Sequence, residues 1–267
     1  MKKILGFAIL VSVVLGMLDG CDLAANVPEQ DHAGKAQLMV FGAASLSETL
    51  TQLGELYMAE HPDVTVVFNF DSSGTLKTQI QEGADCDVFI SAGQKQMDQL
   101  DQVQEDSWID LLENKVVLVV PEGNPAGIRS YEDMVEGLKA GSVLMAMGNA
   151  DVPVGQYSEK ILAYYGLAEE ELAASGVITY GSNVKEVTAQ IQEGLADCGM
   201  IYQTDACVAG LTVVDTADQV MCGAVIYPAA VLRESAFPRQ AQEFLEFLCS
   251  DVGERVFEAV GFIPVGS

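Results

Sequence analysis

The sequence predicts an α/β fold made of two similar lobes, and three observations carry that reading. From Gln37 onward, short apolar runs alternate with stretches whose apolar residues recur at helical spacing, the pattern of strands alternating with helices. The chain has 267 residues, enough for two lobes of roughly 100–150 residues each. One segment also returns: Gln79-Ile80-Gln81-Glu82-Gly83-Ala84-Asp85-Cys86 reappears as Gln190-Ile191-Gln192-Glu193-Gly194-Leu195-Ala196-Asp197-Cys198, with one residue inserted. Each copy ends a helix at a glycine, the usual residue just past a helix C-terminus, and leads into an apolar strand. On this alignment Cys86 and Cys198 fall at equivalent strand starts in different lobes, too far apart to bond.

The first element is an address. Lys2 and Lys3 precede an apolar run from Ile4 to Leu18, the basic and apolar regions of a secretion signal. The run stops at Asp19, short of the ~20 apolar residues of a membrane span. Leu18-Asp19-Gly20-Cys21 resembles a bacterial lipobox, with Asp19 where a small residue is usual. Residues 1–20 are therefore read as a lipoprotein signal peptide and Cys21 as the lipidated first residue of the mature chain. Residues 21–36, with Pro28, Asp31, His32 and Gly34, read as a polar tether.

The body follows in order. Leu38–Phe41 is a buried strand ending in Gly42-Ala43-Ala44-Ser45, and Leu46, Leu50, Leu53 and Tyr57 mark the helix behind it. His61-Pro62 ends that helix, because proline disfavours α geometry in the residue before it. Val64–Phe70 is the second strand, with Asp71-Ser72-Ser73-Gly74 opening a helix through Leu76 and Ile80. Further strands are expected at 88–91, 116–120, 143–147, 177–180, 199–202 and 224–227. Tyr157, Ile161 and Tyr165 mark one helix between them, and Val184, Val187, Ile191 and Leu195 another.

Composition excludes several functions. The formal net charge is −26, from 13 Lys+Arg against 39 Asp+Glu. That rules against nucleic acid, whose phosphates are held by Lys/Arg clusters, and against charge-driven docking on anionic lipid. Two histidines, His32 and His61, leave little for zinc or Ser-His-Asp chemistry. The six cysteines, Cys21, Cys86, Cys198, Cys207, Cys222 and Cys249, fit no CxxC spacing. Most read as small buried hydrophobes.

Ligands of open α/β sheets sit at the carboxyl ends of strands. At those ends stand Ser45, Ser72-Ser73-Gly74 and Asp151-Val152-Pro153-Val154-Gly155. Each turn feeds a helix N-terminus, where backbone N–H groups lack partners and the dipole favours an anion. Pro153 suits a first helical turn. Either each serine caps its own helix, or the turns combine into one anion site.

The segments Phe41–Leu46, Phe70–Leu76, Asp87–Ala92, Asp151–Tyr157, Asn183–Lys185 and Gly199–Ala206 together resemble the periplasmic molybdate-binding proteins of ABC transporters, in order, from about Gln37 to Val265. The resemblance implies a periplasmic-binding-protein-like fold of type II, with mixed sheets and a hinge. It implies a solute-binding lipoprotein, not an enzyme, that takes no cofactor and delivers molybdate or tungstate to a membrane permease. The implied chain is a monomer held to the extracytoplasmic face of the membrane through Cys21. Carried over by position, the oxyanion ligands fall on the side chains of Ser45 and Ser73, the amides of Val154 and Val184, and the hydroxyl of Tyr202. The metal is then held only as its oxyanion. Position 154 is commonly Ala in that family, and Gly74 stands where Ser is frequent. Lobe one is expected at residues 37–116 plus 230–267 and lobe two at 117–229, with crossings near Lys115–Val117 and Pro228–Val231.

The chemistry agrees. A tetrahedral dianion offers only acceptors, so a site of Ser, Tyr and backbone N–H donors suffices. Aligned amides and helix termini spread the positive charge. Phosphate near neutral pH keeps a proton that such a site leaves unsatisfied, at about 1–3 kcal/mol. Sulfate offers the same pattern as molybdate in a smaller ion, so another small oxyanion such as sulfate is the alternative ligand, with a small organic anion beside it. A hydrolase using Ser45 or Ser73 is the alternative class, although neither serine lies in a G-x-S-x-G elbow.

Overall fold

The structure, a computed structural model, describes residues 35–265. The signal segment, Cys21 and His32 lie outside the described residues. The first half runs β1 (Ala36–Ala43), α1 (Ser47–Glu60), β2 (Val64–Asp71), α2 (Ser73–Gln81), β3 (Val88–Ile90), α3 (Gln94–Asp98) and β4 (Ile109–Asn114). The second runs β5 (Val116–Val120), α4 (Tyr131–Ala140), β6 (Met145–Gly148), α5 (Pro153–Tyr164), α6 (Glu169–Ser175), β7 (Ile178–Gly181), α7 (Val184–Gln192), β8 (Cys198–Tyr202), α8 (Gln203–Ala209), β9 (Thr212–Thr216) and α9 (Gln219–Cys222). The chain then returns as β10 (Val225–Val231), α10 (Pro238–Leu248), α11 (Asp251–Glu258) and β11 (Ile263–Pro264).

Two mixed sheets result, ordered β11-β4-β10-β3-β1-β2 and β7-β6-β8-β5-β9. Without the short edge strand β11 they share one plan. Strands β2, β1 and β3 are parallel, as are β7, β6 and β8. In each sheet one antiparallel strand, β10 or β5, fills the fourth place. Each of those two strands enters its sheet directly after the chain has crossed from the other. The fold is thus α/β with two similar lobes, as the sequence predicts.

Burial follows the helical spacing read from sequence. Leu46, Leu50, Leu53 and Tyr57 are fully buried along α1, and Phe244 and Phe257 from the C-terminal helices pack with them. At roughly 1.5–3 kcal/mol for each fully buried large apolar side chain, this cluster anchors the returning C-terminal segment to the first sheet. His61 closes α1 as expected, and its ring stacks on Tyr57 at 4.2 Å.

The repeated segment joins equivalent elements, α2 to β3 and α7 to β8, but its register differs from the sequence alignment. Gly83 and Gly194 both have positive φ, 91° and 67°, as the turns require. Downstream, Met39 N–H donates to Asp87 Oδ2 at 2.7 Å and Leu144 N–H to Asp197 Oδ2 at 2.8 Å. The equivalent residues are therefore Asp87 and Asp197, and the extra residue sits in the first copy. Cys198 opens β8, whereas Cys86 precedes β3 by two residues. Among the described residues all five cysteines are free; Cys86, Cys198 and Cys222 are buried, and Cys207 and Cys249 exposed.

The first crossing is at Lys115, inside the expected span, but the second is earlier than expected. All of β10 belongs to the first sheet, so the chain crosses at Gly223–Ala224 instead of Pro228–Val231. The apolar run 224–227 reads equally well as the last strand of either lobe, and only its pairing with β3 and β4 decides.

Candidate anion site

Ser45, Ser73, Val184 and Tyr202 come from four separate elements and line one cavity, with Asp71, Ser72, Ala92, Val152 and Pro153 beside them. Val154 is not among the lining residues; it follows Pro153 in the first turn of α5. The chain arrives at this place six times by the same device, the end of a parallel strand (β1, β2, β3, β6, β7 or β8) leading into a helix.

Neither serine caps its own helix. Ser45 lies in a short 3-10 turn before α1, and its Oγ is 3.0 Å from the Tyr227 hydroxyl. Ser73 is the first residue of α2, and the cap is Ser72, which accepts the Thr75 N–H at 3.1 Å. Ser73 Oγ instead accepts the N–H of Ala92 at 2.9 Å. That bond occupies a lone pair and leaves the Ser73 hydroxyl proton free to be donated.

The second half contributes amides. Asn183 caps α7 by accepting Glu186 N–H at 3.1 Å, and Val187 N–H takes the Asn183 carbonyl. Val184, one turn earlier, has no carbonyl within the helix to reach. In α5 Pro153 fills the first position without an N–H, and no side chain caps the end. The amide of Val154 is left there in the same way, because the first intrahelical bond belongs to Gln156. Both valine side chains are buried in the core, so these positions offer backbone and nothing else.

Tyr202 ends β8, is 1% exposed, and reaches across to the Ala92 carbonyl at 3.4 Å. Burial holds its hydroxyl well above the ordinary tyrosine range, so it stays a proton donor through the physiological pH range. Asp71 is the one lining carboxylate; its Oδ1 is turned to the N–H of Ser72 at 2.7 Å and to Asn183 Nδ2 at 3.5 Å. Neither serine is hydrogen-bonded to a histidine, and His61 is held at the far end of α1.

Two groups behind the site were not singled out in the sequence. Asp205, fully buried on α8, lies 3.1 Å from Lys185 Nζ, which also reaches Glu48 on α1 at 2.8 Å. The Asp205 approach is within ion-pair distance but poorly directed, and neither of its oxygens receives a hydrogen bond. Burial pushes its carboxyl up to about 6, the nearby ammonium offsetting only part of that. Burial alone would lower the Lys185 pKa, but Asp205 and Glu48 raise it further than that. Lys185 thus ties the second lobe to the first beside Val184. Gly74 marks a second close approach, where a Cβ would lie 2.2 Å from the carbonyl oxygen of Asp151 in the other lobe.

Two lobes of mixed sheet, with the ends of their parallel strands facing a shared cavity, define a solute-binding protein. The chain belongs to the bacterial extracellular solute-binding protein family, whose model matches residues 38–263. It is 30% identical to a putative ABC transporter substrate-binding lipoprotein, YvgL, of Bacillus subtilis, over 96% of this chain and 97% of that one. It is 31% identical to the molybdate-binding protein ModA of Mycobacterium bovis, over 91% and 90%. Among solved structures, the substrate-binding domain of a putative molybdenum ABC transporter from Clostridium difficile matches with TM-score 0.63 and 33% identity, covering 86% of this chain and 99% of that one. The periplasmic molybdate-binding protein of Azotobacter vinelandii (TM-score 0.73, 23% identity, 85% and 98% covered) and the sulfate-binding protein SubI of Mycobacterium tuberculosis (0.72, 17%, 86% and 88%) share the fold. Among the described residues no helix is long and apolar enough to cross a membrane.

Proposed function

We propose that this protein captures molybdate, and tungstate with it, between its lobes and hands the anion to an ABC permease. The observation that carries the reading is the polarity of the cavity. Ser73 accepts the Ala92 N–H and so has its proton to give, Tyr202 stays protonated and would turn its proton from the Ala92 carbonyl to the anion, and α5 and α7 begin with amides that no helix carbonyl can take. An ion with acceptors on every face suits that set, and a protonated phosphate does not. The relatives named for molybdate point to the same ligand. Ser45, Ser73 and Tyr202 would donate through their hydroxyls, and Val154 and Val184 through their amides. The lobes would close about Lys115 and Gly223–Ala224. Lipidation at Cys21 would hold the monomer at the extracytoplasmic face of the membrane.

Titration calorimetry tests this directly. Molybdate should bind one-to-one, tungstate should compete with it, and sulfate and phosphate should displace it poorly. Absence of molybdate binding, or sulfate binding more tightly, would overturn the ligand assignment.

A further inference from the structure

We infer that Tyr227 and Asn114 are positioning residues that fix which way the Ser45 hydroxyl points, and so make Ser45 a donor to the anion; this rests on Ser45 being a ligand. The order of bonds restricts the proton positions. Asn114 Oδ1 accepts the N–H of Lys115 at 2.8 Å, so its Nδ2 is the end that faces inward. Nδ2 carries two protons and no lone pair to share. One proton goes to Thr204 Oγ1 at 2.9 Å and the other to the Tyr227 hydroxyl oxygen at 3.3 Å.

Tyr227 has a single proton. Its oxygen takes the Asn114 proton, and Ser45 Oγ lies 3.0 Å away in a bond that either hydroxyl could donate; the relay assigns that proton to Tyr227. With that direction Ser45 accepts from Tyr227, and its own proton is free for the cavity. Ser73 reaches the same state by accepting from Ala92. Chains of hydrogen bonds polarise one another, each strengthening the next by about 10–30%, so the relay also makes Ser45 a better donor. Burial raises the Tyr227 hydroxyl well above its ordinary range, which keeps that proton in place.

The relay begins at a hinge. Asn114 is the last residue of β4, next to the Lys115 crossing, and Thr204 belongs to the other lobe. Tyr227 lies just after the second crossing, opposite Leu112 on β4. Asn114 Nδ2 thus bridges Thr204 of one lobe and Tyr227 of the other.

The test is a double-mutant cycle on molybdate affinity, with thermal melting of each variant recorded without ligand. Ser45→Ala should weaken binding about 10- to 150-fold, as loss of one hydrogen bond to a charged acceptor. Tyr227→Phe, which removes one oxygen, should weaken it about three- to tenfold, yet change it less than twofold in the Ser45→Ala background. Asn114→Ala should show the same dependence on Ser45 with a smaller loss, which guards against a Tyr227→Phe variant that does not fold. A merely structural role would give equal losses in both backgrounds, and that outcome overturns the relay. If Ser45→Ala weakens binding and neither relay variant does, the relay alone fails. If Ser45→Ala binds as the parent does, the ligand assignment itself fails.

Discussion

Ser73 and Val184 occupy the same place in the two lobes. Each opens the helix that follows the second parallel strand of its sheet, behind a capping residue, Ser72 or Asn183. Yet one presents a hydroxyl and the other only an amide, its side chain being buried in the core. Ser45 and Val154 repeat the contrast after the first parallel strand. In the proposed site the first lobe would therefore donate through side chains, whose protons must be oriented by neighbours such as Ala92 and Tyr227. At these two positions the second would donate through backbone, which helix geometry orients without help, and its one side-chain donor would be the Tyr202 hydroxyl at the end of β8. The lesson is that a duplicated topology fixes where donors converge but leaves open what kind each lobe supplies.

The second lobe also carries a cost the first does not, the buried Asp205, and removing its partner should produce the largest effect. Lys185→Met leaves Asp205 without a counter-charge and should cost up to about 3–5 kcal/mol of stability at pH 7, read by denaturant unfolding. Adding Asp205→Asn should restore most of it. The pH dependence has a defined sign. Folding raises the Asp205 pKa from the ordinary value to about 6, so the folded state holds the proton more tightly than the unfolded one. Its favourable contribution is full below about pH 4 and is lost as pH rises through about 6. The melting temperature of Asp205→Asn relative to the parent should therefore climb between pH 4 and 7. A difference that stays flat would mean that Asp205 does not titrate there.

A smaller effect should come from the first lobe. Gly74 has ordinary helical geometry, so alanine there is acceptable to α2 itself, but its Cβ would meet the Asp151 carbonyl at 2.2 Å. Overpacking of this kind costs about 1–3 kcal/mol. Gly74→Ala should hold the lobes apart and weaken molybdate binding about 5- to 150-fold, with the ligand-free melting temperature nearly unchanged. Unchanged affinity would show that closure does not bring Gly74 against Asp151.

What the sequence disclosed and what it hid follow from the range of the interactions. Ser45 and Ser73 are legible from local signals, a strand end and a helix start, whereas Val184 and Tyr202 enter only through the resemblance to the molybdate-binding family; the fold brings all four to one cavity. Asn114 and Tyr227 were not legible. They meet from positions 113 residues apart, and Tyr227 looks like any aromatic at a strand. The strand β4 escaped because Asp110 and Glu113 interrupt its apolar residues, and β9 because it is a half-exposed edge. The repeated segment was recognised, but matching its cysteines placed the insertion in the wrong copy. The fold aligns instead the aspartates that accept a neighbouring strand's N–H.

The most direct measurement sets the two equivalent helix starts against each other. Molybdate affinity should be determined by calorimetry for Ser73→Ala and for Val184→Ala. Ser73→Ala removes the donor and should weaken binding about 10- to 150-fold. Val184→Ala keeps its amide and should change affinity less than about threefold. Equal losses in the two variants, or an unaffected Ser73→Ala, would contradict a hydroxyl donor at one helix start and a backbone donor at the equivalent start in the other lobe.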